Sequence, residues 1–208
     1  HSYIKAILKS LKNKPRTSAT ITKLSRSEKN GVTIHYENEN SENYDQVVIA
    51  THADTALDLL SDADELEKNS LKHWKYQANN VILHNDTNYM PPNKSLWASW
   101  NFIRKTGSTK ASPVSVSYYM NRLQKLKTKT PYIVTLNPQT EIDPQKIINQ
   151  TVLTHPMYSF ESMNSQKFLR ERNGRRNTWL CGSYFGYGFH EDAVQSSLEI
   201  AHAFGIQL

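Results

Sequence analysis

Cysteine is nearly absent: Cys181 is the single one in 208 residues. One thiol excludes an internal disulfide framework and a multi-thiolate metal centre. No apolar run approaches the roughly 20 residues that a membrane-spanning helix needs. Glycine is sparse, at 7 residues, and no Gly-x-Gly-x-x-Gly or Gly-Lys-Ser/Thr occurs, so the dinucleotide fingerprint and the Walker loop are both missing. There is no starting Met, no apolar signal core and no arginine-rich transit segment. The opening residues, His1-Ser2-Tyr3-Ile4-Lys5-Ala6-Ile7-Leu8, already read as the inside of a helix, so a piece of a longer protein is expected. The cytosol is the expected compartment. With 38% hydrophobic and 21% charged residues, collagen-like, coiled-coil and wholly disordered readings also drop out.

What is present in excess is positive charge, a net +6 with a pI near 9.3. Such a balance suits nucleic acid or an anionic lipid surface. The charge is dispersed, however, over Lys5 to Arg16, over Arg122 to Lys129 and over Arg170 to Arg176. Each such cluster is more often a solvated face than a binding stripe. His52, His84, His155 and His190 lack the paired spacing that would favour zinc, so no metal is expected.

The apolar spacing of Tyr3, Ile4, Ile7, Leu8 and Leu11 predicts a helix that Pro15 ends. Strands are expected at 19–24 and 32–36, joined by a turn at Lys29-Asn30-Gly31. A polar turn over 37–43 leads into 44–50. There Val47-Val48-Ile49-Ala50 suits a strand buried on both faces, as in a parallel sheet. Helices follow at 51–60 and 62–74. From 80 to 138 the texture changes to short strands at 81–84, 96–103, 114–120 and 132–136, with Gly107 and Pro113 in turns and a short helix at 121–126. Alternation along 96–102 puts Trp97 on the face opposite Trp100. A helix at 161–172 with Met163, Phe168 and Leu169 as buried positions, a strand at 178–181 and a helix at 190–204 complete the chain. The second of these helices would bury Ala193, Val194, Ser197, Leu198, Ala201 and Phe204.

Three of the glycines fall in Cys181-Gly182-Ser183-Tyr184-Phe185-Gly186-Tyr187-Gly188-Phe189-His190. A strand enters this loop and a helix leaves it. A phosphate or carbonyl could there approach bare backbone and the partly positive helix start. A tight strand-to-helix turn needs the same glycines. Glu191 and Asp192 favour the helix start and offset attraction for an anion. Trp97, Trp100, Tyr118 and Tyr119 could wall a substrate cavity or form sheet core. Cys181 reads as a small buried residue.

The segment Gly188-Phe189-His190-Glu191-Asp192-Ala193-Val194 resembles the C-terminal flavin-binding segment of the flavin-containing amine oxidases. Val47-Val48-Ile49-Ala50-Thr51 is similar to the family's mid-chain strand ending in Ala-Thr, and Ile21 lies where that family has a strand touching the adenine. The wider phrases Val48-Ile49-Ala50-Thr51-His52-Ala53-Asp54, Tyr119-Met120-Asn121-Arg122-Leu123-Gln124, Val134-Thr135-Leu136-Asn137-Pro138 and the run from Cys181 to Asp192 look like a bacterial branch of amine-oxidase-like proteins. Ser183 stands where the family has an acidic residue, and Asp192 where it has glycine. The resemblance implies an α/β protein: a partial glutathione-reductase-type FAD-binding domain over 1–77 and 156–208, with an inserted antiparallel-sheet substrate domain over 78–155. It implies FAD as cofactor, held weakly by this chain because the fingerprint unit is missing. The contacts implied are Ile21, Ala50, Thr51, Gly182, Ser183, Gly186, Tyr187, Gly188, Phe189, His190 and Ala193. The activity implied is hydride transfer from a small-molecule amine or an acyl lipid, with His190 as the candidate proton shuttle and no base identified. This chain alone is expected to be inactive. No nucleic-acid partner is expected, whereas peripheral contact with the inner membrane face is open. The rival reading is a non-enzymatic basic module for nucleic acid or an anionic membrane.

Overall fold

Helix α1 (Ser2–Ser10) opens the chain. The structure, a computed structural model, describes residues 2–104 and 115–207. The turn glycine and proline expected at Gly107 and Pro113, and Val114 at the head of its strand, lie outside the described residues. Two compact units form, one from His1–Lys75 with Pro156–Leu208 and one from Tyr76–His155.

In the first unit α1 takes the spacing predicted, yet Tyr3, Ile4, Ile7, Leu8 and Leu11 are all exposed. β1 (Ile21–Ser27), β2 (Gly31–Tyr36) and β3 (Ser41–Tyr44) make an antiparallel meander. β3 corrects the polar turn expected over 37–43. Its polar side chains find partners across the sheet: Thr33 Oγ1 donates to Asn43 Oδ1 at 2.7 Å, and Arg16 Nη1 to Glu42 at 2.8 Å. β4 (Val47–Ile49) is shorter than expected and pairs in parallel with β10 (Thr178–Leu180). It is not buried on both faces: Ile49 is buried while Val48 is 45% exposed.

α2 (Ala53–Leu59) and α3 (Glu65–Leu71) follow. Asp64 starts α3 by accepting from Glu67 N at 2.9 Å, and Glu67 Oε2 accepts from Asp64 N at 2.9 Å, a reciprocal cap. The same Glu67 accepts a two-pronged bond from Arg26 of β1 at 2.7 and 2.8 Å. Asp62 takes Arg26 Nε and Arg176 Nη2, each at 2.8 Å. Desolvation works to raise the Asp62 pKa, but hydrogen bonds from Arg26 outweigh it and hold the carboxyl below the usual range. Strand, helix start and the turn before β10 are thereby tied together.

α5 (Phe160–Arg172) is capped by Ser159 and buries Ser162, Ser165 and Leu169. Phe168, expected inside, is 53% exposed. The reason is the neighbour: small serines let α5 approach Trp74, whose Nε1 donates to Ser165 Oγ at 3.0 Å. α6 (His190–Ala203) buries Ser196 and Ile200. Val194 and Ser197, expected on the buried side, lie in solvent, because the helix turns its small Ser196 toward the loop that precedes it. Phe204, just past the helix and also expected inside, stays 42% exposed with its ring edge on Trp179 at 5.0 Å.

In the second unit one sheet runs in the order β6 (Trp100–Ile103), β7 (Ser115–Tyr119), β8 (Ile133–Leu136), β5 (Lys75–His84), β9 (Ile147–Met157). β9 escapes sequence reading because almost all of it is exposed and so carries no alternation. The strand expected from 96 begins only at Trp100. Asn93 Oδ1 accepts from Ser95 N at 3.0 Å and bends Lys94–Leu96 into a 3₁₀ turn. α4 (Met120–Leu123) is shorter than the helix expected. Under the sheet His84 is fully buried, with Nε2 2.7 Å from Thr135 Oγ1 and Nδ1 accepting from Asp86 N at 3.1 Å. Burial pushes its pKa down.

Candidate functional site

The two parallel strands end side by side. Cys181, buried, donates its N–H to Ile49 O at 3.2 Å, closing the pair just past β10. Beyond it the chain enters the loop 182–189, and beyond β4 come Ala50, Thr51 and His52, all exposed. Thr51 O lies 3.7 Å from where a Gly182 side chain would begin. The structure therefore brings Ala50 and Thr51 to the same end as Gly182. In open α/β sheets ligands bind at this carboxyl end.

The loop is held from three sides. Ser196 Oγ accepts from Gly182 N at 3.0 Å and donates to Ala193 O at 2.9 Å. Gln166 of α5 donates to Tyr184 O at 3.0 Å and Gly186 O at 2.7 Å. Tyr184 and Phe185 are buried, with Tyr184 packed at 5.7 Å on Trp74. Asp192, one of the two departures from the amine-oxidase pattern, reaches back and accepts from Tyr187 N at 2.9 Å and Phe189 N at 2.8 Å. Its carboxylate occupies the space that a Gly186 side chain would need. Ser183 O accepts from Gly186 N at 3.1 Å and Gly188 N at 3.2 Å, so that residue shapes the turn through its main chain.

Beyond this scaffold Tyr187, Gly188, Phe189 and His190 are exposed in sequence, with Ala193 half-buried behind them. His190 is the first residue of α6, whose N-cap Phe189 offers no side-chain bond. First-turn N–H groups have no intrahelical partner. The rim thus offers donors and apolar rings together. Ile21 stands apart, exposed at the head of β1 in the meander. The four sheet aromatics form two edge-to-face pairs. Trp97 meets Tyr119 at 5.0 Å beside Met90 and Ile133, and Trp100 meets Tyr118 at 6.2 Å. Tyr118 and Tyr119 are neighbours on β7 and so point to opposite faces. They do not enclose one space.

Sequence reading missed Gln166, Ser196 and the inward role of Asp192. Ser196 escaped because the serine read on the apolar side of this helix was its neighbour Ser197, which the structure exposes. Gln166 acts across 18 and 20 positions, and no spacing marks it.

The fold and this junction define a class: a mixed α/β unit whose two parallel strands end together at a glycine-bearing loop, accompanied by an antiparallel sheet. The comparisons make it definite. The pattern described as flavin containing amine oxidoreductase matches residues 1–203, and the chain belongs to that family. No curated protein sequence matches it. Among solved structures it is similar to a CLA-producing fatty acid isomerase from P. acnes, at TM-score 0.65 and 16% identity over 99% of this chain and 52% of that one. It is also similar to reduced UDP-galactopyranose mutase, at TM-score 0.55 and 13% identity over 84% of this chain and 45% of that one. The chain thus spans about half the length of the structures it resembles.

Proposed function

We propose that this chain forms one wall of an FAD site in an FAD-dependent oxidoreductase, acting on an amine or an acyl lipid. The observation that carries the reading is the meeting of Ala50-Thr51 with the loop 182–190 at the open ends of β4 and β10. When bound, FAD supplies a two-electron acceptor for a hydride leaving a C–H bond.

The residues present fit part of that cofactor. The α6 start offers N–H donors and the favourable end of a helix dipole to an acceptor atom on a ring edge. Glu191 and Asp192 stand in that first turn, and they disfavour a full phosphate charge there. A neutral or weakly charged ring is the better match, and the pyrophosphate needs donors other than these. Tyr187 and Phe189, both exposed, supply apolar surface that would exclude water from a flat ring. His190 stands at the edge of the same rim, placed to hold or move a proton at its imidazole.

The test is titration of FAD with the 208-residue chain, followed by flavin fluorescence. The expected dissociation constant is weaker than about 10 µM, or about 7 kcal/mol, and binding should vanish when Gly182 and Gly188 are both replaced. Tight stoichiometric binding would contradict the division of the site. Binding that ignores those two changes would contradict its location.

A further inference from the structure

Basic residues occur in three separate clusters, but the net charge they leave is confined to one part of the sequence. Between Asp86 and Glu141 the chain carries eight Lys or Arg and no Asp or Glu. The rest of the protein is slightly acidic, with 17 basic and 19 acidic residues. The whole excess therefore belongs to one stretch of the second unit.

That stretch also exposes large apolar side chains. Phe102 is 74% exposed, Leu96 65% and Trp100 54%, with Leu123 and Leu126 also in solvent. Trp100 and Phe102 lie two apart on β6 and so share a face of the sheet, while Asn101 between them is buried. The basic residues adjoin them. Arg122 donates to Trp97 O at 2.7 Å, which sets α4 and the exposed Lys125, Lys127 and Lys129 beside the start of β6.

We infer that this end of the second unit, Leu96, Trp100 and Phe102 with the lysines after α4, docks on the surface of an anionic phospholipid bilayer. Aromatic and leucine side chains enter the headgroup boundary while lysines meet lipid phosphates, the pairing that makes a peripheral contact stable. Among the described residues no helix is long and apolar enough to cross a membrane, so the contact is with the surface. Leu96, Leu123 and Leu126 add apolar surface that a bilayer takes up and a base stack does not use, whereas Trp100 and Phe102 would suit either partner, which the oligonucleotide arm below separates. The inference does not depend on the flavin reading.

The experiment is sedimentation of the full chain with vesicles of phosphatidylcholine alone, or with about one third phosphatidylglycerol and brominated acyl chains. Of the four tryptophans, Trp74 and Trp97 are buried, Trp179 is half-buried and Trp100 is exposed, so bromine quenching reads Trp100. The protein should pellet with the anionic vesicles only, with its emission quenched. Lys125→Gln with Lys127→Gln should weaken partitioning about 30-fold at low salt, at about fivefold per charge. Phe102→Ser should weaken it about tenfold and reduce quenching, with an unchanged circular dichroism spectrum. The inference is overturned if both vesicle types bind alike, or if anionic vesicles bind without quenching and regardless of Phe102. It is equally overturned if a single-stranded oligonucleotide or monomeric fatty acid binds through these residues and vesicles do not.

Discussion

Gly188 offers the sharpest test of how the loop is built. Its φ is +91°, a conformation that L side chains rarely adopt, and a Cβ there would stand 2.5 Å from Tyr158 Oη. Two costs follow. Holding an L residue in this left-handed region costs about 1–2 kcal/mol, and displacing Tyr158 adds about 1 kcal/mol or more, as overpacking does. Gly205 separates them. It also has positive φ, +75°, closing α6 with Ile206 N on Ala201 O at 2.9 Å, but nothing lies within 4 Å of its missing side chain. Gly205→Ala should therefore lose about 1 kcal/mol, the backbone share alone. Gly188→Ala should lose about 2–3 kcal/mol, and about half of that in a Tyr158→Phe background. Urea unfolding of the parent, the three single variants and the double variant measures this. Equal losses at 188 and 205, with no coupling to Tyr158, would refute the packing argument. The functional counterpart is FAD uptake by Gly188→Val and His190→Ala. The branched side chain should abolish uptake by distorting the loop, whereas alanine at 190 keeps the main-chain N–H and should leave uptake nearly intact. The reverse order would misplace this segment against the cofactor.

Two further outcomes concern buried and half-buried charges. Arg26→Met should destabilise the protein by about 3–5 kcal/mol in urea, because Glu67 stays buried without its guanidinium. The side chains of Arg26 and Glu67 are 0% and 9% exposed; a loss below about 1 kcal/mol would contradict the pairing. Asp62 and Asp86 should make stability fall with acid. For both, desolvation raises the pKa, yet hydrogen bonds prevail and lower it: from Arg26 at Asp62, and from Asn88 N and Lys146 at Asp86. A depressed folded-state pKa gives stability that is complete above the unfolded value and is lost as pH falls through the folded one. Thermal stability should hold above about pH 5 and decline from about pH 4 downward, and Asp62→Asn should flatten the slope.

Local pattern was enough for much of this protein. The apolar run at Val47-Val48-Ile49, the glycine spacing of 182–188 and the stripes of α1 and α6 each announce an element, because periodicity and glycine content act within a few residues. That locality also explains what stayed hidden. β9 carries no alternation, since it buries almost nothing. The pairing of β4 with β10 joins positions about 130 apart, and Trp74 meets Ser165 across 91. No residue type signals such partners. Asp192 read as an acidic helix start; only the fold turned its carboxylate onto the N–H groups of Tyr187 and Phe189. Val48 read as doubly buried, and only the assembled sheet left one side open. Sequence determines which segments can be strand, helix or loop through local sterics and apolar spacing. Tertiary structure decides which side chains meet, because a hydrogen bond or ion pair depends on where distant backbone arrives.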